Sequence, residues 1–282
     1  MTEPSTPLDV AHAYDLQFQF PAGDTAVGAS LRDFGEFARV ILDFLLDHAD
    51  GAGALLDVGA NIGAVGLPFA AQRPEWRVLG IEAHPGLADI LNANAAANGL
   101  ANVSLMRAAA GAAAGRADFP APALDGQRNY GDIGFATVAD QTVSIRVFPL
   151  DDLAPDNTRL VKIDVEGYEP QVLAGARALI AARQAIWLVE ASIQHPEATA
   201  DTIRTFRDAG YQVFWFYAPF VTPSNGRGKP ANPSLGDSNI VALPPGVPNR
   251  WSLTPVADPA ERRPSDIGAY PYLRRYGYVW KS

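Results

Sequence analysis

The sequence predicts an α/β protein built on a mostly parallel, seven-stranded sheet with helices on both faces. Three observations lead there. From residue 54 onward, short apolar runs alternate with helix-like segments, the pattern of a parallel sheet. A glycine turn, Gly59-Ala60-Asn61-Ile62-Gly63, follows the first apolar run and leads into the first of those helices. An acid, Glu82, ends the second run. With 282 residues, 48% of them hydrophobic, the chain can bury a core of the size such a sheet needs.

Residues 1–50 are expected to form an N-terminal helical extension packed on the core. After a loose start containing Pro and Thr, Phe34, Phe37, Ala38, Ile41, Leu42, Leu45 and Leu46 fall on one helical face. Residues 51–245 are expected to form the ligand-binding domain. Its strands are predicted at 54–58, 77–82, 103–107, 160–165, 185–190, 211–217 and 239–243, the last two as an antiparallel pair. Helices are predicted at about 64–71, 86–98, 168–182 and 197–209. Gly99 stands where a left-handed residue ends a helix. Residues 108–159 exceed what a crossover needs and carry strand-like pieces at 116–119 and 142–148. They also carry a polar loop with Arg128, Asn129 and Tyr130, side chains suited to binding an acceptor. Residues 246–282 end in an aromatic, basic tail, expected to pack on the core or on a partner subunit of a homo-oligomer.

Composition removes several function classes. A net charge of -9 with no Lys/Arg run argues against a nucleic-acid groove. The absence of cysteine excludes thiolate chemistry and disulfides, and fits a cytoplasmic protein. The four histidines, His12, His48, His84 and His195, lack metal-ligand spacing. No apolar stretch is long enough to span a bilayer, and residues 1–20 do not read as a secretory signal.

A strand, a tight turn and a helix N-terminus present backbone N–H groups to a nucleotide-like ligand. A dinucleotide fingerprint needs a second glycine where Asn61 stands, and here an acid, Asp57, precedes the turn. That acid-x-Gly-x-x-x-Gly form resembles the first motif of S-adenosylmethionine-dependent methyltransferases. It points to Asp57, Gly59, Asn61 and Gly63 as cofactor-binding positions. Glu82, with Ala83 after it, stands where a carboxylate accepts hydrogen bonds from both ribose hydroxyls of an adenosyl group.

The fourth strand is the least ordinary. Period-two geometry places Lys162, Asp164 and Glu166 on one face of Leu160-Val161-Lys162-Ile163-Asp164-Val165-Glu166. A central strand of a parallel sheet is normally apolar on both faces, so these charges indicate a ligand-lined edge. Lys162 is expected to pair with an acid such as Asp57 or Asp164. The stretch Val161-Lys-Ile-Asp-Val-Glu-Gly-Tyr-Glu-Pro-Gln-Val-Leu-Ala-Gly-Ala176 resembles the hallmark of FkbM-type methyltransferases. Glu82-Ala-His-Pro85, Asn94 to Val103, Phe148-Pro-Leu-Asp-Asp-Leu153, Trp187-Leu-Val-Glu-Ala191 and Asn239-Ile-Val-Ala-Leu-Pro244 follow in that family's order.

The resemblance implies a class I methyltransferase (Rossmann-like) fold, S-adenosyl-L-methionine as donor, and a hydroxyl acceptor on a sugar, glycolipid or secondary metabolite. It departs at Arg107-Ala-Ala-Ala-Gly111, which lacks a polar side chain for adenine, so Ala109 and Ala110 offer backbone contacts only. A sulfonium methyl is already activated, so the protein's task is alignment and removal of the acceptor proton. Asp164 and Glu166 are the candidate bases, or alternatively ligands of the cofactor's ammonium or of a divalent metal. Arg128, Asn129, Tyr130 and His195 are candidates for the acceptor. Two other readings are a nicotinamide-dependent dehydrogenase, disfavoured by Asn61, and a non-catalytic methyltransferase-like module, disfavoured by the intact carboxylates.

Overall fold

In the computed structural model, which describes residues 6–280, the apolar runs expected as strands join in a single sheet. Residues 1–5 and 281–282, the extreme ends of the expected extension and tail, lie outside the described residues.

The N-terminal part begins with a hairpin of β1 (Leu8–Ala13) and β2 (Leu16–Pro21). Its signal is the alternation Leu16-Gln-Phe-Gln-Phe20, with Phe18 and Phe20 buried. The single helix expected over 34–46 is instead two, α1 (Val27–Phe34) and α2 (Arg39–Asp47). Gly35 (φ +71°) and Ala38 (φ +50°) both take the left-handed conformation between them, which a right-handed helix cannot continue through.

The alternating region follows as β3 (Ala54–Val58), α3 (Gly66–Gln72), β4 (Arg77–Glu82), α4 (Pro85–Ala97) and β5 (Val103–Arg107). The long connection forms its own three-stranded sheet from β6 (Ala109–Ala110), β7 (Gly115–Pro120) and β8 (Thr142–Phe148), then a short α5 (Leu150–Leu153). The second half runs β9 (Thr158–Ile163), α6 (Glu169–Ala174), α7 (Arg177–Ala182), β10 (Ile186–Glu190), α8 (Pro196–Asp208), β11 (Gln212–Pro219), β12 (Gly236–Leu243) and β13 (Thr254–Pro255). The helix expected over 168–182 breaks at Gly175, where a Cβ would lie 2.0 Å from the carbonyl oxygen of Gly111.

The main sheet has the order β13-β11-β12-β10-β9-β3-β4-β5. The five strands from β10 to β5 are parallel, while β12 enters antiparallel between β10 and β11. The two-residue β13 makes the sheet eight-stranded, one more than expected. From β3 the chain builds outward through β4 to β5, then returns to lay β9 on the other side of β3. Such a reversal opens a crevice at the carboxyl ends of the strands, where α/β sheets bind ligands. Every residue of β3 and β10 is buried, so the crevice stands on a rigid floor. The aromatic tail folds back onto its own chain: Tyr272 stacks on Phe216, ring centroids 5.1 Å apart, and its hydroxyl donates to the Tyr217 carbonyl at 3.0 Å. Among the described residues no helix is long and apolar enough to cross a membrane.

Candidate active site

The turn after β3 sets the geometry. Gly59 has φ +74°, and a Cβ there would fall 1.8 Å from the carbonyl oxygen of Asp164. Glycine at this position lets the turn lie directly against the end of β9. Asn61 (φ +50°) is also left-handed, and its Oδ1 accepts from the Ile62 N–H at 2.7 Å, a local bond of the kind that suits asparagine to this conformation.

Glu82, at the tip of β4, is tied to the same turn. Its Oε2 accepts from the Asn61 N–H at 2.8 Å and its Oε1 from the His84 N–H at 2.7 Å. Burial pushes the carboxyl up to about 7 despite those two donors. Each oxygen retains a lone pair for a further donor.

Between β3 and β9, Asp57 and Lys162 are register partners. Lys162 Nζ lies 3.3 Å from Asp57 Oδ1 and 3.4 Å from Asp164 Oδ2, and it donates to the Gly59 carbonyl at 3.3 Å. The expected pairing with one acid is thus a pairing with two. Burial works against the ammonium, but the two carboxylates outweigh it and raise Lys162. Burial raises Asp57 more than Lys162 lowers it. These directions disagree about the pair's ionisation; with Nζ within 3.4 Å of two carboxylates, the geometry supports the charged form.

The β9 strand ends at Ile163, so alternation does not carry Glu166 onto the face of Lys162 and Asp164. Glu166 instead occupies a left-handed turn (φ +55°), held by Glu169 Oε1, which accepts from the Val165 N–H at 3.1 Å and the Gly167 N–H at 3.3 Å. The turn returns its carboxylate to Asp164. One oxygen each from Asp164, Glu166 and Glu190 lie within 4.8 Å of one another. Burial, then Asp164, Asp132 and Asp237, pushes Glu166 up to about 9. Burial, then Asp164, pushes Asp237 up to about 8.

Two clefts meet at this cluster. The first, about 1070 Å³, is lined by Asp57, Gly59, Asn61, Glu82, Ala83, Asn129, Tyr130, Asp164 and Glu166, nine positions expected from sequence. Ala108, Ala109 and Ala110 line it too. The second, about 1020 Å³, holds His195 with Ser192, Gln194, Ser238 and Arg263. Asp132, Gly134, Glu166 and Asp237 border both. Two expected positions stand apart. Gly63 packs under Leu67 and Leu91, and Arg128 bonds through its backbone to Gly23 and Thr25 with its guanidinium over the Tyr130 ring. Sequence reading missed Asp132, Glu190 and Asp237 as site residues, and also Val27, Phe37 and Ile41, which bring the N-terminal part to the first cleft. For Asp237 a signal existed: in a strand antiparallel to its neighbours, the first residues sit where the parallel strands end.

The fold resembles known structures. A SAM-dependent methyltransferase from Agrobacterium tumefaciens superposes with TM-score 0.50 at 12% identity, over 86% of this chain and 72% of that one. A methyltransferase FkbM from Methylobacillus flagellatus KT gives TM-score 0.47 at 19% identity, over 68% of this chain. The alignment spans 44% of that protein, less than half its length. No curated protein matches the sequence significantly. The model of the methyltransferase FkbM domain matches residues 57–213, from the first acid of the glycine-turn motif into β11. The chain therefore belongs to the FkbM family of S-adenosylmethionine-dependent methyltransferases.

Proposed function

We propose that the protein moves a methyl group from S-adenosylmethionine to a hydroxyl of a polar acceptor: a sugar, a glycolipid or a secondary metabolite. The observation that carries this reading is the meeting of two clefts at Glu166, beside Asp164, one cleft running along the glycine turn and one lined by polar side chains.

The first cleft suits the donor. Glu82 offers ribose hydroxyls its two remaining lone pairs, next to Asn61 and Ala83. The Gly59–Asn61 turn leaves room for the amino-acid end, and Ala109 and Ala110 give adenine an apolar wall with backbone polar groups. Asp57 acts through Lys162, fixing the ammonium that holds the Gly59 carbonyl. The bound donor supplies a sulfonium methyl already activated for transfer.

The chain's own residues then orient the acceptor, exclude water and take its proton. Asn129, Tyr130 and His195 border the space the acceptor would fill. Asp164, whose side chain is 27% exposed, and Glu166 sit where the hydroxyl proton must go. Glu166 is released to act as a base when positive charge enters the cleft, because neighbouring negative charge helps hold its proton on.

Calorimetry with S-adenosylhomocysteine and with NAD tests the donor, and only the former is expected to bind. Transfer of labelled methyl to fractionated extract, followed by mass analysis, tests the acceptor, with the label expected on an ether oxygen. A label on nitrogen or carbon would overturn the O-methyl reading. So would near-normal turnover in both Asp164→Asn and Glu166→Gln.

A further inference from the structure

Glu190 ends β10 with its side chain turned into the carboxylate cluster. It is 8% exposed, and among the described residues its Oε2 is sealed from solvent without a hydrogen-bond partner. A buried carboxylate oxygen left unpaired costs several kcal/mol, roughly, so such groups are normally matched by a donor or a cation. Among the described residues the ammonium beside the cluster is that of Lys162, which already meets Asp57 and Asp164. Asp132 and Asp237 border the same junction and add negative charge.

The spacing suits a hard divalent ion. One oxygen from each of Asp164, Glu166 and Glu190 lie within 4.8 Å of one another. Oxygens on opposite sides of a calcium ion lie about 4.6–5.2 Å apart and of a magnesium ion about 4.2 Å apart. Oxygens within 4.8 Å of one another therefore suit calcium as they stand and would close by a few tenths of an ångström, roughly, around magnesium. The donor set is all carboxylate, the kind that favours magnesium, calcium or manganese over zinc or copper.

We propose that Asp164, Glu166 and Glu190 bind one hard divalent cation at the junction of the two clefts, each through one oxygen, which leaves the second oxygen of Glu166 to take the acceptor proton. Its open coordination positions would take two neighbouring oxygens of the acceptor, so the acceptor class is a chelating one: a vicinal diol or a hydroxy acid. The acceptor class rests on the function proposed above, while cation binding does not.

The test is titration of the intact, metal-free protein with Mn²⁺, followed by the loss of free-ion paramagnetic resonance signal. One saturable site per chain is expected, weakened at least tenfold in both Glu190→Gln and Glu166→Gln. Absence of a saturable site in the wild type, or unchanged affinity in the variants, overturns the proposal. If Glu190→Gln fails to fold by circular dichroism, the partly exposed Glu166→Gln decides alone. S-adenosylhomocysteine binding by the wild type is measured separately. Its failure alongside a saturable Mn²⁺ site would overturn the donor reading and leave the cation site standing; the converse result would do the opposite.

Discussion

Replacing Lys162 with Met exposes how the floor of the cofactor cleft is held. The side chain is buried, and its Nζ meets Asp57 at 3.3 Å and Asp164 at 3.4 Å. Methionine fills similar volume without charge, so the change isolates electrostatics. Asp164 reaches the cleft and can turn to water, but Asp57 is 2% exposed and cannot. Breaking a buried pair from one side costs about 3–5 kcal/mol, because the remaining charge is uncompensated. For a chain of this size about 2 °C of melting temperature corresponds to each kcal/mol, giving a fall of roughly 6–10 °C. Thermal melts of the ligand-free protein at neutral pH read this directly. The double variant Lys162→Met/Asp57→Asn removes the stranded charge and should recover more than half of the loss. A single variant melting within 1 °C of the wild type, or a double variant no more stable than the single, would refute the assignment of Lys162 as the counter-charge of Asp57.

Further expectations concern the turn and its acid. Glu82→Gln keeps the shape but removes the charge offered to the ribose, so calorimetry should show S-adenosylhomocysteine bound about 10–100-fold more weakly, from roughly 1.5–3 kcal/mol per charged hydrogen bond. Burial raises Glu82 from 4.5 to about 7 in the folded protein, so Glu82 stabilises the fold most below pH 4.5 and that contribution is lost as pH rises through 7. At about 1.4 kcal/mol per unit the span is roughly 3 kcal/mol, and urea unfolding at pH 5 and pH 8 should show a smaller difference in Glu82→Gln than in the wild type. Cofactor affinity should run the other way, rising as the carboxylate ionises, because only the ionised form accepts from both hydroxyls. Gly59→Ala puts a Cβ 1.8 Å from a backbone oxygen at a left-handed φ, and its melting temperature should fall by at least 5 °C, about 2–3 kcal/mol.

Much of the sheet was legible because its signals are local. The run Ala54–Val58, the glycine turn and the acid after Arg77–Ile81 mark themselves by apolarity and spacing, and β3, β4 and β5 fall at the expected residues. The site was legible only in part. Asp57, Gly59, Asn61 and Glu82 lie on two adjacent strands and their turns, so a motif and one strand spacing bring them together. Glu190 reaches the same place from the carboxyl end of β10, which lies parallel to β9, and Asp237 from the start of the antiparallel β12; that β12 inserts between β10 and β11 is a tertiary fact the strand pattern does not announce. The helix breaks at Gly35–Ala38 and at Gly175 are likewise tertiary: Glu36 is drawn down to accept the Thr222 N–H, and Gly175 lies against the Gly111 backbone. The strand period misled at Glu166 because β9 stops early, yet the turn that ends it still delivers the carboxylate to Asp164.

A crystal structure with S-adenosylhomocysteine tests the central claim most directly. Both ribose hydroxyls are expected within about 2.6–3.0 Å of the Glu82 carboxylate. The sulfur is expected to face Asp164 and Glu166 across the mouth of the second cleft. An adenosyl group bound away from Glu82, or a sulfur turned toward the β5 edge of the sheet, would contradict it.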